Sequence, residues 1–422
     1  MKVKRPNAII YFFVFILVYP LIKLLFRLKV DRSGYIPPDE AFIAVSNHSS
    51  FMDFLIVMLA LYPRRFNAVA AQKFFLYRPL NKLLPIMGCI PKNLFDPDVR
   101  SIIGIKYVLK RGDRVLLFPE GRCACDGVYA GIHKSTGKLI KKLEVPVISV
   151  SVDGAYKCMP FWRSGFRAGR VRIIISNLFT KDDLLSLSVD EINETLDNRL
   201  GRNNEPPPQK PFRTFGARRL AEGLENILYW CPKCGQEFTT ETEGCYIRCS
   251  ACDNTAMIDR DMNLNPTPGS VVPGSIHEWF KEQARYEARM LNEDMEPVSV
   301  QVSIRLPSVV PGGGMEVCGS GTVRLDPKGW HYDGELKGRQ VNLFFPIDTV
   351  PALPYDPNDN FQIYSGGTFY MITPQNARTS VKYSVLGECA YWRFAEHIQM
   401  TPRKDSGFCW SDRKGTNRPY ED

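Results

Sequence analysis

The chain opens with a long apolar run between basic residues. Apolar and aromatic side chains continue without a charge from Ala8 to Ile22, where Lys23 ends the run. This is shorter than the ~20 residues that a helix needs to cross the hydrocarbon core. The pattern predicts that residues 1–34 form a membrane-associated segment whose helix enters one leaflet, breaks at Pro20 and rests its basic half on anionic headgroups. A buried core helix is the alternative.

Residues 35–204 alternate short apolar runs with amphipathic stretches. The runs predict strands at 41–46, 66–71, 89–91, 114–118, 145–152 and 171–176. The amphipathic stretches predict helices at 54–62, 80–86, 98–111 and 132–143, and Ser188 opens a last helix with a capping-box pattern. Strands that alternate with helices in this way are typical of an α/β domain.

The pattern changes again beyond residue 204. Residues 205–230 begin as a stiff Pro-rich linker, residues 231–258 hold two cysteine pairs, and residues 259–296 contain a helix that Ser275 opens. Residues 297–422 are rich in strands, predicted at 298–306, 321–325, 330–332, 341–345, 361–364 and 368–372, with a closing helix at 390–398. This end resembles a pleckstrin-homology or GRAM-like barrel, which would dock to a membrane or a protein. A scaffold that only covers the α/β domain is the alternative.

Composition narrows the class of protein. The 422 residues are 44% hydrophobic, which fits globular domains and excludes a largely disordered chain. The formal net charge of +9 favours anionic partners, either phospholipid surfaces, phosphorylated substrates or nucleic acid. The 12 cysteines lack the dense even spacing of a secreted disulfide scaffold, so a reduced, cytosol-facing protein is expected.

The block Asn47–Asp53 directly follows the first predicted strand of the α/β domain. His48 comes at the strand end and Asp53 five residues later, where a helix begins, so both side chains can face one cleft. An aspartate that accepts a hydrogen bond from one imidazole nitrogen leaves the other nitrogen free to take a proton from a hydroxyl. Attack of an alcohol on an acyl donor requires this chemistry. A purely structural pair is the alternative.

A second polar block ends the predicted strand at 114–118. Phe118, Pro119, Glu120, Gly121 and Arg122 place a charged turn at the carboxyl edge of the sheet, where α/β proteins bind ligands. An arginine at this edge can bind a phosphate in bidentate fashion. An ordinary turn with solvated charges is the alternative.

Four ordered blocks resemble the glycerolipid acyltransferases of the lysophosphatidate acyltransferase type. That family carries N-H-x-x-x-x-D, G-x-I-P-x-x-R, F-P-E-G-T-R and a V-P-V block in this order. Asn47–Asp53 matches the first in full, and residues 145–150 nearly match the fourth. Residues 88–94 match the second except that Leu94 replaces its Arg. The third begins at Phe118 and has its Arg one place early, with Cys123 at the family's Arg position.

The resemblance implies the role of each site residue. His48 would act as general base on a glycerol hydroxyl, and Asp53 would orient it. The acyl donor would be acyl-CoA or acyl-carrier protein. The acceptor would be a lysophospholipid, with 1-acylglycerol-3-phosphate first and others left open by the two departures. Its phosphate end would be bound by Glu120, Gly121 and Arg122, with Lys92 as an auxiliary cation. The N-terminal apolar run and the cysteine usage predict a location at the cytosolic face of a cell membrane, with a monotopic or single-span N-terminal anchor.

Two tight cysteine pairs predict a metal site. Cys231 and Cys234 form one pair, and Cys249 and Cys252 form the other, with fourteen residues between the pairs. Four thiolates at this spacing can close a tetrahedral zinc site and resemble a zinc ribbon. No His lies nearby to suggest catalysis, so the zinc is expected to be structural. Cys245 is an alternative ligand.

Two further functions compete with the enzyme. The altered second block leaves open a catalytically inactive, acyltransferase-like adaptor that binds lipid or protein through the ribbon and the β-rich domain. Nucleic-acid binding through the ribbon is not expected, because acidic residues such as Glu241 and Glu243 offset its few cations.

Overall fold

The computed structural model describes residues 2–95, 98–132, 135–201, 218–291 and 297–395. The chain divides into two compact units, and most of the residues before Arg218 form the first. The Pro-rich start of the predicted linker and the end of the predicted closing helix lie outside the described residues.

The first unit alternates helices and strands, as an α/β domain should. Its strands are β1 (Lys29–Gly34), β2 (Ile43–Ser46), β3 (Phe66–Ala71), β4 (Ile90–Lys92), β5 (Arg114–Leu117), β6 (Val147–Asp153) and β7 (Arg172–Phe179). Its helices are α1 (Ala8–Leu25), α2 (Asp53–Ala60), α3 (Leu80–Ile86), α4 (Val99–Lys110), α5 (Ser135–Leu143), α6 (Ala155–Cys158), α7 (Lys181–Ser186) and α8 (Val189–Leu200).

These strands form one mostly parallel sheet in the order β1-β7-β6-β2-β5-β3-β4. The central strand β2 is apolar on both faces and fully buried, as is typical of a strand that helices cover on both sides. It pairs in parallel with β5 on one side and β6 on the other, and within the described part of this sheet only the β6–β7 pair is antiparallel. The carboxyl ends of β6, β2, β5, β3 and β4 therefore meet at one edge.

Two apolar cores lie on the two faces of this sheet. One core is built from α1 and α2 against residues such as Ala44 and Leu116, and the other from α4, α5 and α8 against Ile43 and Val115. The alternation of side chains along each strand sends neighbouring residues into opposite cores. The sheet is thus fixed by helices from both sides.

The second unit contains a small sheet, a helix and a larger sheet. The small sheet has the order β11-β10-β9-β8, and the larger has the order β15-β14-β13-β12-β18-β17-β16. The strands are β8 (Thr240–Glu243), β9 (Tyr246–Cys249), β10 (Thr255–Ile258), β11 (Leu264–Pro266), β12 (Val298–Pro307), β13 (Met315–Asp326), β14 (Gly329–Leu336), β15 (Arg339–Pro346), β16 (Tyr355–Asp356), β17 (Asn360–Ser365) and β18 (Thr368–Pro374). The helices are α9 (Ile276–Met290) and α10 (Ser380–Ala395).

The closing helix differs from its prediction. It begins at Ser380 rather than at residue 390. The prediction missed the first turns because Ser380 and Ser384 look like loop residues in the sequence, whereas in the structure both are buried. The Ser384 hydroxyl donates to the carbonyl of Leu353 at 2.7 Å, which satisfies a polar group inside the core. Residues 390–395 of the predicted helix therefore belong to a longer helix, and residues 396–398 lie outside the described residues.

Residues 1–34 differ from the predicted membrane segment in two ways. The helix α1 runs through Pro20 to Leu25 without a break. Residues 29–34 form β1, which pairs in parallel with β7 and so belongs to the α/β sheet. Burial of Ile22 and Phe26 in the core holds the helical turn that follows Pro20 in place.

One side of α1 packs on the domain and the other is exposed. Tyr11 and Ile22 are buried in the core of this face of the sheet. The opposite side carries a stripe of exposed apolar residues, namely Ile9, Phe12, Phe13, Ile16, Leu17, Leu21 and Leu24. The helix has a mean hydropathy of 2.4 and the length to be a candidate membrane span.

Tyr11 is the polar contact that fixes α1 to the sheet. Its buried hydroxyl donates to the carbonyl of Phe66 at 3.0 Å and accepts the N–H of the same residue at 3.1 Å. We expect Tyr11→Phe to lower the free energy of unfolding by about 1–3 kcal/mol, because it leaves two buried backbone groups unsatisfied. Thermal unfolding in detergent would measure this. Tyr19→Phe in the same helix is the control and should change little; equal effects would refute this anchoring role.

Candidate active site and metal centre

The imidazole of His48 lies at the carboxyl end of β2 and contacts the carboxylate of Asp53. The distance from His48 Nδ1 to Asp53 Oδ2 is 3.2 Å, and the imidazole is 23% exposed while the carboxylate is fully buried. With the proton on Nδ1, Nε2 is the nitrogen that can accept a proton from a substrate. The structure thus places the two residues as the sequence predicts.

Asp53 is held by the loop that leads to it. Its Oδ2 accepts the backbone N–H groups of Ser49 and Ser50, both at 2.7 Å. The residue is also the first of α2, where the partial positive charge of the helix N-terminus favours an anion. These contacts fix the carboxylate so that it can orient the ring of His48.

The turn after β5 aims Glu120 at the same loop. The N–H of Gly121 donates to the carbonyl of Phe118 at 3.1 Å, and Gly121 has a φ of 74°, a conformation that favours glycine. Glu120 Oε1 accepts the backbone N–H of His48 at 2.5 Å, and Oε2 accepts that of Ala130 at 3.1 Å. This side chain therefore ties together two loops at the sheet edge.

This geometry favours a positioning role for Glu120 over the expected contact with an acceptor phosphate. The residue is 4% exposed, and its two carboxyl oxygens accept the backbone N–H groups of His48 and Ala130. Burial raises the pKa of Glu120 to about 8, against the lowering effect of the two N–H groups.

Asn47 and Ala124 fix the same loop, and the sequence analysis assigned no role to either. Asn47 Nδ2 donates to the carbonyl of Val152 at 2.9 Å, and its Oδ1 accepts the N–H of that residue at 2.7 Å. The N–H of Ala124 donates to the carbonyl of His48 at 2.9 Å. The Asn within the N-H-x-x-x-x-D block was the one signal that could have indicated the first contact.

Phe118 and Cys123 flank the imidazole. The ring centroids of His48 and Phe118 are 4.6 Å apart, and the Cys123 sulfur lies 3.9 Å from His48 Nδ1. Burial raises the pKa of the Cys123 thiol well above its ordinary value, and the nearby carboxyl groups of Asp53 and Glu120 raise it further. The thiol stays protonated, so this arrangement does not favour a cysteine nucleophile.

The two predicted cations lie on different elements. Arg122 follows Gly121 in the turn after β5, and its charge lowers the pKa of Glu120. Lys92 ends β4 at the edge of the sheet, three strand positions from β2. At about 4.8 Å per strand spacing, roughly 14 Å of sheet separates the two strands. The structure therefore places Arg122 in the turn that carries Glu120 and leaves Lys92 at the rim.

A cavity of about 100 Å³, lined by both polar and apolar groups, lies on the β6 side of the loop that carries His48. Its lining includes Asn47, Ser49, Glu120, Tyr129, Asp153 and Lys157. The imidazole of His48 is not part of the lining. A cavity of this size and polarity can hold a few water molecules.

The four predicted zinc ligands come together in the second unit. The sulfur atoms of Cys231, Cys234, Cys249 and Cys252 all lie within 4.8 Å of one another. The Cys231–Cys252 and Cys234–Cys249 sulfur pairs are 3.7 and 3.8 Å apart. Tetrahedral zinc with ~2.3 Å bonds to sulfur separates its ligands by about 3.8 Å, so the donor set fits this metal.

Both cysteine pairs have the same backbone turn. The N–H of Gly235 donates to the carbonyl of Cys231, and the N–H of Asp253 donates to that of Cys249. Gly235 and Asp253 both have positive φ, at 74° and 59°. Each turn brings its two sulfur atoms to one side, so the cluster is formed by two equivalent knuckles joined by β8 and β9. Cys245 is not among the four clustered residues.

A His–Asp pair that can activate a hydroxyl, placed at the ligand-binding edge of an α/β sheet, defines a group-transfer type of site. Residues 27–153 match the family model described as Acyltransferase. The predicted resemblance to acyltransferases is therefore confirmed for this part of the chain.

Relatives of this domain include several named lipid enzymes. The chloroplast 1-acyl-sn-glycerol-3-phosphate acyltransferases of Arabidopsis thaliana and Brassica napus are 28% and 30% identical to it, over 37% and 35% of this chain. The chain spans 44% of the length of both. The 1-acyl-sn-glycerol-3-phosphate acyltransferase of Bacillus subtilis is 22% identical over 41% of this chain and 85% of its own.

Among solved structures, the crystal structure of the 1-acyl-sn-glycerophosphate acyltransferase from Thermotoga maritima is similar to part of the chain. It is 22% identical, has a TM-score of 0.41, and the match covers 47% of this chain and 80% of that one.

We expect Glu120→Gln to lower kcat about 10- to 100-fold with little change in KM, because a glutamine amide can accept only one of the two N–H groups and His48 shifts. Acyl transfer assayed on the purified variant would measure this. Glu144→Gln, at an exposed position, is the control. A rise in KM alone would instead support direct binding of the acceptor.

The same variant tests the raised pKa. The folded protein keeps the Glu120 proton up to about pH 8, whereas the unfolded chain releases it near 4.5. Stability therefore falls as pH rises through this window. Urea unfolding across the window should show a smaller decline in Glu120→Gln, and an unchanged decline would refute this assignment.

We expect one zinc ion per chain, with Cys231→Ser reducing the zinc content and destabilising the ribbon, because three thiolates close the site poorly. Metal analysis of the purified proteins would measure this. Cys245→Ser in the same segment is the matched control and should retain zinc. Full zinc in Cys231→Ser would rule out the four-thiolate site.

Proposed function

We propose that the protein is a membrane-associated O-acyltransferase that transfers a fatty acyl group from a thioester donor to the hydroxyl of a lysophospholipid. The observation that carries this proposal is the His48–Asp53 contact at the sheet edge, within a domain that matches the acyltransferase family. Because the chain spans less than half of the length of several named relatives, we propose their activity for this chain on the geometry of its own site.

His48 acts as the general base. Its Nε2 takes the proton from the acceptor hydroxyl as the oxygen attacks the thioester carbonyl. The tetrahedral intermediate then expels the thiolate, which takes the proton from the imidazolium. Asp53 orients the ring and stabilises the imidazolium between these two proton transfers.

The first candidate acceptor is 1-acylglycerol-3-phosphate, because several relatives are named for it. Arg122 is the cation placed to bind its phosphate near the pair, and Lys92 would bind an acceptor that extends to the rim. Leu94 stands where the family's second block has Arg. Other lysophospholipids are therefore included in the proposal, and the donor is acyl-CoA or acyl-carrier protein.

The helix α1 would lie in the plane of the cytosolic leaflet of the membrane. Its exposed apolar stripe supports insertion, and its packed side keeps the α/β domain at the surface. Residues 1–201 contain 30 Lys or Arg and 17 Asp or Glu, a net charge of +13, which supports attraction to anionic lipids. The acceptor would then reach the sheet edge from the bilayer.

The second unit would support this function without chemistry of its own. The zinc ribbon would be structural. The strand order β15-β14-β13-β12-β18-β17-β16 followed by α10 supports a pleckstrin-homology or GRAM-like domain, whose role would be docking to a membrane or a protein. Residues 218–422 carry a net charge of −6, from 21 Lys or Arg and 27 Asp or Glu.

We expect His48→Ala to reduce acyl transfer by about 10²- to 10⁴-fold, because it removes the general base. The assay uses the full chain with a panel of lysolipids and both donor types. His277→Ala on α9 is the control, since this histidine lies in the second unit. Unchanged activity in His48→Ala would remove this residue from the mechanism.

The same assay distinguishes the proposed enzyme from the catalytically inactive adaptor. Wild-type protein that is folded and binds lipid vesicles, but transfers no acyl group to any acceptor, would favour the catalytically inactive adaptor.

A further inference from the structure

The helix α4 is apolar on two sides. Its inner side packs into the core through Ile105, Val108 and Leu109. Its outer side exposes Val99, Ile102, Ile103 and Tyr107, with Val99 64% and Ile103 49% exposed. Ile102 and Ile103 are adjacent, and each is three or four residues from Val99 and four or five from Tyr107. The four side chains therefore form one stripe along the helix. A stripe of this kind is typical of a contact surface.

Basic side chains border this outer stripe. Arg100 and Lys110 are exposed, Lys106 is half-buried, and α4 contains no Asp or Glu. The two acids that flank the helix are already bonded: Asp98 at its start accepts the N–H groups of Asn93 and Ser101, and Asp113 beyond its end is bonded to Arg5 and Arg111. The surface formed by Val99, Arg100, Ile102, Ile103, Lys106, Tyr107 and Lys110, here called the α4 face, is therefore both apolar and cationic.

The α4 face is well placed for a donor that arrives from water. The helix starts just after β4, beside the sheet edge that carries His48, and Asp98 links the two by accepting the N–H of Asn93. It packs on one face of the sheet, whereas α1 packs on the other. A bilayer that contacts the outer side of α1 would therefore lie on the side of the α/β domain opposite to the α4 face.

We infer that the α4 face is the docking surface for an acidic acyl-carrier protein, which would make that protein the acyl donor. This inference rests on the proposed function. Carrier proteins present an acidic helix with apolar residues and carry the acyl thioester on a long flexible arm. The charges and the apolar stripe of the α4 face are complementary to such a helix. The arm would then extend over the start of α4 to the sheet edge.

A second copy of this chain fits the α4 face less well. A two-fold contact between α4 helices would place the cations of Arg100, Lys106 and Lys110 against the same cations of the partner, which is unfavourable. An acidic partner removes this repulsion and also gains from the positive charge of the whole domain.

The test compares two donors that carry the same hexadecanoyl chain, one on acyl-carrier protein and one on CoA. The full chain is assayed in lipid nanodiscs with 1-acylglycerol-3-phosphate, as wild type and as Arg100→Glu/Lys106→Glu. We expect the variant to raise KM for the carrier-protein donor about tenfold, and to leave both kcat and the KM for acyl-CoA unchanged. The difference should shrink at high salt.

Two controls separate docking from structure. Lys138→Glu/Lys142→Glu reverses two exposed charges on α5, four residues apart, and should not affect either donor. Binding of labelled holo-carrier protein, measured by fluorescence anisotropy, gives a readout that does not depend on turnover. We expect wild-type protein and the α5 variant to bind, and the α4 variant to bind at least tenfold more weakly.

Several outcomes would overturn the inference. Absence of carrier-protein binding, equal losses with both donors, or use of acyl-CoA alone would each do so while leaving the proposed function intact. A shift in sedimentation that the α4 variant abolishes would show instead that α4 joins two copies. If no donor supports transfer, the proposed function fails, and carrier-protein binding that depends on α4 would still support the docking surface.

Discussion

The first unit depends on how the loop after β2 is held between its two neighbouring strands. The parallel pairing of β2 with β5 and β6 brings three loops together, and side chains then satisfy the backbone of the central loop. Glu120 accepts the N–H of His48, Asn47 binds both backbone groups of Val152, and Asp53 accepts two N–H groups. Because buried polar groups are costly when unpaired, this network leaves the loop one favourable conformation. The imidazole is thereby set before any substrate arrives.

Much of the first unit could be predicted from local sequence. The apolar runs located its buried strands, and the spacing of His48 and Asp53 after a strand end was enough to predict that their side chains lie together. The role of Glu120 could not be found in this way, because its partners lie 72 residues before it and 10 after it. The predicted break at Pro20 was wrong for a related reason. A proline inside a helix locally favours a break, but burial of Ile22 and Phe26 stabilises the helix beyond Pro20.

The second unit shows the same division between local and long-range information. Spacing alone located the four sulfur ligands, since each pair closes its own turn. The contacts that join the ribbon to the larger sheet could not be inferred. Arg378 donates to the carbonyls of Glu225 and Thr240, and Lys382 contacts Glu237 and the buried carboxyl of Glu287. These contacts join residues about 100 to 150 positions apart in the chain. The ribbon, α9 and the β-rich domain together belong to one compact unit.

The dual nature of α1 has a practical consequence for biochemistry on this protein. An anchor that is a separate appendage can be cut off to obtain a water-soluble enzyme. Here the same helix supplies Tyr11 and Ile22 to the interior, and the chain that follows it supplies β1 to the sheet. Truncation would uncover apolar interior and promote aggregation. Under the proposed membrane association, replacing outward residues such as Leu17 and Leu24 with polar ones would instead weaken binding to lipid and keep the interior closed.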